Sequence, residues 1–252
     1  MSSNCQANRL LEADIKALVL NKLRGQGLID PSSIIMSELT VGNFSRRVDL
    51  AVYANSRLLG FEIKSEADSL SRVNGQINKY LEYFDKVIVV TDKKFTSKLS
   101  ETLPEAVGLW ELSGPENLKV IHGGKYQKRI DKSKLIDLMD TVDMAKLATK
   151  LSIKSEKNRR ELTQSLLNKS YKNLREGVQQ SLSRKFHERT KVFIECTEPR
   201  SITKEDIKLL SRFSVVREAE KTKTAQAKIF WDNIEQHMHE LKKFMESATR
   251  QI

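Results

Sequence analysis

Apolar residues first recur at Leu11, Ile15, Leu18 and Val19, a spacing that lines one side of a helix. Gly25 and Gly27 close the segment, so the pattern predicts a helix over 9–24. Beyond Pro31 the period changes. Residues 34–39 are a short β-branched and apolar run, the first expected strand. Residues 47–53 then alternate, with Val48, Leu50 and Val52 expected on one side and Arg47, Asp49 and Ala51 on the other. A turn at Asn55, Ser56 and Arg57 leads into 58–64, where Leu59, Phe61 and Ile63 alternate with Gly60, Glu62 and Lys64. Together these two stretches predict a β-hairpin. Asp68 and Ser69 offer helix caps, and Leu70, Val73, Ile77, Leu81 and Phe84 follow at helical spacing, which predicts a helix over 69–83. The stretch from Val87 to Val90 is wholly apolar and β-branched. Such a strand is buried on both faces and runs parallel to its neighbour through a helical crossover.

Two shorter strands are expected over 107–112 and 118–121, around a turn at Gly114 and Pro115, with Gly123 and Gly124 marking a boundary. From Asp131 onward the apolar spacing is helical, through Leu135, Leu138, Met139, Val142 and Leu147 and then Leu162, Leu166, Leu167, Tyr171, Leu174, Val178 and Leu182. Further helices are expected over 201–213, opened by Thr203 as a cap, and over 225–248. The expected class is α/β: an αβββαβ core with a central mixed sheet over 1–124, followed by a basic helical region over 125–252. A chain of 252 residues is long enough for both.

Composition narrows the setting. No apolar run approaches the ~20 residues that span a bilayer, and residues 1–9 lack the basic start and apolar stretch of a secretory signal. A cytoplasmic protein without a membrane partner is expected. Cys5 and Cys196 are far apart and have no Cys or His at metal-ligand spacing, so neither a disulfide partner nor a zinc site is indicated. The net charge is +11, and its distribution matters more than its size. Residues 1–125 hold 16 Lys and Arg against 15 Asp and Glu, whereas 126–252 hold 28 against 18. Within the second half, 144–191 carries 13 basic and 4 acidic residues, a concentration that suits a nucleic-acid backbone. Lys154, Lys157, Arg159, Arg160, Lys169, Lys172, Arg175, Arg184 and Lys185 could line a phosphate-tracking surface, with Arg159 and Arg160 as the leading DNA contacts.

The hairpin carries candidate chemistry. Asp49 lies on the polar side of one strand, and Glu62 and Lys64, two apart, share the polar side of the next. Two carboxylates at close range hold a hard divalent cation such as Mg²⁺, and a nearby ammonium orients water and offsets charge at a phosphorus centre. Gly60 is expected to keep the sheet surface open beside Glu62.

The runs Arg47-Val-Asp49-Leu-Ala-Val and Gly60-Phe-Glu62-Ile-Lys64-Ser, with Gln76 and Tyr80 in the next helix, resemble the PD-(D/E)XK phosphodiesterase superfamily of restriction endonucleases and Holliday-junction resolvases. The likeness covers Leu11 to about Ile121 and is closest to small uncharacterised bacterial proteins that join this core to a helical C-terminal part. It implies that Asp49 and Glu62 ligate Mg²⁺, with Mn²⁺ able to substitute, and that Lys64 assists the attacking water. It also implies that Gln76 and Tyr80 support the site. The motif's proline is replaced by Val48, as in many active members. Members often add an acidic residue from the first helix; Asp14 is preferred here over Glu12, with Glu38 as another possible ligand. Arg46, Arg47 and Arg72 stand where they could touch a nucleic-acid backbone. The expected function is a metal-dependent endonuclease acting on DNA in repair, restriction or defence against mobile DNA. The alternatives are a catalytically inactive DNA-binding module and a helical protein-interaction scaffold. Whether the protein forms a homodimer is left open.

Overall fold

The alternating segments form one sheet. In the computed structural model, which describes residues 10–42, 46–114, 117–154, 158–198 and 200–211, six strands lie side by side in sequence order: β1 (Ile34–Val41), β2 (Arg46–Ala54), β3 (Arg57–Lys64), β4 (Lys86–Asp92), β5 (Gly108–Leu112) and β6 (Leu118–His122). The first three make an antiparallel meander. β3, β4 and β5 run parallel through two crossover helices, α2 (Val73–Leu81) and α3 (Lys93–Thr102), and β6 returns antiparallel. β4 is buried on both faces, as its unbroken apolar run predicts.

Two local readings change. α2 begins at Val73 rather than 69 because Asp68 is already engaged: its carboxylate accepts from Ser65 N–H at 2.8 Å and from the Ser65 hydroxyl at 2.7 Å, closing the turn after β3. α3 was not expected at all. It buries Leu99 alone, too little for a visible stripe, and is set instead by Asp92, whose carboxylate caps it by accepting from Lys94 N–H at 3.0 Å.

Each face of the sheet carries a core. One gathers α2, α3 and the helices α4 (Lys132–Asp137), α5 (Thr141–Lys150) and α6 (Arg159–Leu167), together with the first half of α7 (Tyr171–Thr197). The other gathers α1 (Glu12–Gly25), the end of α7 through Phe193 and Ile194, and a 3-10 helix over Asp206–Leu210. That 3-10 turn stands where a helix over 201–213 was expected; Thr203 bonds Asp206 through both its amide and its hydroxyl. The helix expected over 225–248 lies outside the described residues.

α7, 27 residues and about 40 Å long, passes from one core to the other around the edge of β1. There the Thr190 hydroxyl accepts from Ile35 N–H at 2.9 Å, satisfying a backbone donor that an edge strand leaves open, while its own hydrogen lies between the Phe186 carbonyl at 3.0 Å and the Ile35 carbonyl at 3.2 Å. Arg24 of α1 binds the Thr197 carbonyl at 2.8 Å at the far end. The compact unit runs past the boundary expected at 124/125 to Ser211, and α7 contributes buried residues to the core on each face. Among the described residues no helix is long and apolar enough to cross a membrane.

The clamp can be tested at Thr190, which is 1% exposed. Thr190→Val keeps the shape and leaves the Ile35 amide without this acceptor, so it should destabilise the protein by about 1–3 kcal/mol in urea unfolding. Thr190→Ser, which retains the hydroxyl, should recover most of that loss. Equal stability of the valine variant and the wild type would mean that α7 does not depend on this contact.

Candidate active site

Asp49 sits where the ladder between β2 and β3 stops. Paired positions run from Ala54 with Arg57 to Leu50 with Phe61; one step further, Ile63 N–H donates to Asp49 Oδ2 at 2.8 Å, so a side chain replaces a strand partner. The β1 to β2 ladder also skips here, from Ser37 with Leu50 to Leu39 with Val48. Glu38, left out of that pairing, has φ 63, a left-handed conformation that residues with side chains seldom adopt. The alternation of faces breaks at this level. Met36 and Leu39 pack on the same face, and Val48 joins Ala51 and Tyr53 on the side of α2 while Leu50 and Val52 face α1. Val48 and Leu50 thus do not share a side as the sequence pattern predicts.

Glu62 on β3 is fully buried. The Lys64 ammonium lies 2.6 Å from its Oε1, and the Tyr80 phenol lies 2.9 Å from its Oε2 and 2.8 Å from the Arg47 carbonyl oxygen. Burial and the Glu62 charge hold the phenol neutral, far above its ordinary range, so Tyr80 is a donor that ties β2 and β3 to α2. One turn earlier on α2, the Gln76 Oε1 atom is buried with no hydrogen-bond partner among the described residues. Gly60 serves packing rather than openness: a Cβ there would stand 2.9 Å from the Phe84 ring.

The Asp49 carboxyl is pushed up to about 7. Burial is the largest cause, followed by the charges of Glu62 and Glu12, against which the Ile63 amide and the Lys16 ammonium act. Lys16 on α1 escaped sequence reasoning. It is 3% exposed, its Nζ lies 2.6 Å from Glu12 Oε1 and it donates to the Ser37 hydroxyl at 3.1 Å. A Glu and Lys four apart ordinarily form a surface pair; here Glu12 is exposed and the lysine alone is buried, as its position beside Ile15, Val19, Leu20 and Leu23 signals.

Asp49, Glu62, Lys64, Gln76 and Tyr80 therefore belong to one neighbourhood, whereas Asp14 belongs to another. Asp14 accepts from Leu11 N–H at 2.9 Å at the start of its own helix and faces Lys204 at 3.7 Å; the first-helix carboxylate whose charge reaches Asp49 is Glu12. Glu38 is exposed and paired with Arg47 at 3.4 Å. Arg46 passes beside Gly75 of α2, and Arg46, Arg47 and Arg72 are all exposed near the site. The basic helical surface is smaller than its sequence implies, because internal carboxylates take much of it. Arg159 bonds the Met139 carbonyl at 2.9 Å and Asp137 at 3.3 Å, Arg175 bonds Asp85 at 2.9 Å, and Arg184 and Lys185 engage Asp140 and Asp143. Arg159 is thus a tie between helices rather than a free contact. Arg160, Lys154 and Lys172 are exposed, and Lys157 lies outside the described residues.

Among the described residues, no three His, Cys, Asp or Glu side chains gather into a ready cation cage. Two carboxylates are nonetheless the usual protein share of a Mg²⁺ site, the remainder being water and substrate oxygen. The mutual repulsion of Asp49 and Glu62 and the orphaned oxygen of Gln76 fit a hard cation.

The family described as Bacteriophage P4 protein cII matches residues 5–211 of this chain. Protein cII of Enterobacteria phage P4 is 37% identical over 129 residues, which are 50% of this chain and 48% of that protein, so the match spans about half of each. A solved protein of unknown function from Silicibacter pomeroyi aligns over 50% of this chain and 77% of that one, at 22% identity and a TM-score of 0.35.

A raised Asp49 means that the folded state binds this proton more tightly than the unfolded chain does. The resulting stability is complete below the ordinary value of 3.8 and is lost as pH rises through about 7. Asp49→Asn keeps an acceptor for Ile63 N–H and cannot ionise. In EDTA at pH 8 it should melt higher than the wild type by on the order of 2–4 °C, an advantage that disappears by pH 4. A lower melting temperature at pH 8 would show that the carboxylate is stabilised where it sits.

Proposed function

We propose that this chain, which belongs to the bacteriophage P4 protein cII family, is a Mg²⁺-dependent nuclease that hydrolyses DNA phosphodiester bonds on a restriction-endonuclease-like core. The family's name states no activity, so the reading rests on the site. One observation carries it: two carboxylates, Asp49 and Glu62, are held together against their own repulsion at an opened strand end, with the Lys64 ammonium 2.6 Å from one of them. Structural ion pairs do not need the second acid. A cation site does.

Asp49 and Glu62 would hold Mg²⁺, or Mn²⁺ in its place, and the bound ion would supply Lewis acidity toward a phosphate oxygen and a water. The protein's own groups do the rest. Ile63 N–H fixes one Asp49 oxygen, and Tyr80 fixes the Glu62 oxygen that Lys64 does not take, so neither acid can swing away. Lys64 lies at the margin of the pair with its side chain 11% exposed, open enough to meet a substrate phosphate, orient a water and offset charge as it accumulates on phosphorus. Arg46, Arg47 and Arg72 offer exposed cations to the flanking phosphates. Because Arg159, Arg175 and Arg184 are occupied internally, a scaffold built on basic helices has less free charge than the composition suggests.

Separate variants test the two roles. Glu62→Gln should lose cleavage of DNA by on the order of a hundredfold or more while DNA binding survives. Lys64→Ala should lose a similar amount while still binding Mn²⁺, since the lysine is no ligand. Circular dichroism and melting curves distinguish these losses from unfolding. Folded variants that both cut like the wild type would remove the chemistry from this site.

A further inference from the structure

We propose that a cleft at the far end of β3 from Lys64 binds a terminal phosphate, as carried by a mononucleotide or by the end of a DNA strand. This site is separate from Asp49 and Glu62 and does not depend on how those residues are read.

The cleft lies where the turn between β2 and β3 meets α7, and its volume of about 610 Å³ is within the range of small-molecule sites. Arg57, Lys128, Lys172 and Arg175 bring four positive charges to its walls, against Asp85 and Glu176. Both acids are already engaged. Asp85 is 1% exposed and accepts from Leu58 N–H at 2.6 Å and from Arg175 at 2.9 Å, with Arg57 at 3.4 Å. Glu176 pairs with Lys150 at 3.4 Å. The cations are not used up in return. Lys128 and Lys172 are exposed and have no carboxylate partner among the described residues. Arg175 has a side chain only 14% exposed, yet its bonds to Asp85 and to the Ser56 carbonyl both leave from one nitrogen, Nη2. Its Nε and Nη1 groups have no partner among the described residues. Donors this deeply set are costly to leave unpaired, and a guanidinium fork matches two oxygens of a phosphate. A terminal phosphate has one substituent and can reach Arg175 past the two exposed lysines, whereas a phosphate within a running strand carries chain on both sides. β3 extends about 23 Å from Arg57 to Lys64, so a phosphate held here is not one that lies on Glu62.

The test is calorimetric titration of the full chain in EDTA with two pairs of probes: deoxyadenosine monophosphate against deoxyadenosine, and a short single-stranded oligonucleotide with and without a terminal phosphate. In at least one pair the phosphorylated probe should bind, once per chain, and its partner should bind far more weakly. Lys128→Ala combined with Lys172→Ala should weaken that binding about tenfold or more at an unchanged melting temperature. Arg175→Lys keeps a charge against Asp85 but loses the unspent donors, and should weaken it similarly; if that variant does not fold, the lysine double variant decides. Tighter binding of the phosphorylated strand than of the monophosphate would make a DNA end the ligand, and the reverse a free nucleotide; either supports the site. No preference for the phosphate in either pair, or unchanged affinity in the folded double variant, would overturn the inference.

Discussion

Two carboxylates held close together in a site largely removed from water repel each other strongly, and the region around β2 and β3 is organised by that repulsion. Asp49 and Glu62 are forced together because the ladder between their strands ends at Leu50 and a carboxylate takes the next backbone donor. Every neighbour then answers the charge: the Lys64 ammonium and Tyr80 phenol on Glu62, the Ile63 amide on Asp49, and Lys16 beyond it, paired with Glu12. Asp49 stays raised even so, by its burial first and by the Glu62 charge second. On the function proposed above, a bound cation is what would let both acids ionise together.

The remainder of the fold holds this point rigid. α2 bears Tyr80 and Gln76, α1 bears Glu12 and Lys16, and each packs on its own face of the sheet, so the two sides of the site come from separate cores. α7 joins those cores around the β1 edge, where it is anchored on Ile35, close in sequence to the left-handed Glu38 and the skipped pairing opposite Asp49. Much of the positive charge on the C-terminal helices is spent on this assembly. Asp143, for example, is held well below the usual carboxylate range by Arg184 and Ser181 despite its burial.

Much of this was legible in the sequence because the hairpin and β4 obey simple periods. The strand ends fall within a residue or two of the expected ones, and the parallel placement of β4 follows from its unbroken apolar run. What escaped depends on contacts that no period encodes. The reversal of faces at Asp49 needs the left-handed Glu38 on another strand, and α3 rests on one cap and one buried leucine. Position along a helix does not show which acid its own N-terminus will claim, and here that acid is Asp14. Lys16 drew no notice in the sequence, since burial of a lysine depends on a sheet that α1 meets only after folding. The helical half looked like a separate region because its apolar spacing is self-consistent, although its longest helix completes both cores.

The central claim, that these residues cut DNA with the help of a divalent ion, is tested most directly by incubating the purified chain with duplex, branched and single-stranded DNA in Mg²⁺ and in EDTA. The account predicts cleavage of at least one of these substrates in Mg²⁺ and none in EDTA. Intact DNA throughout, or equal cleavage in EDTA, would contradict it.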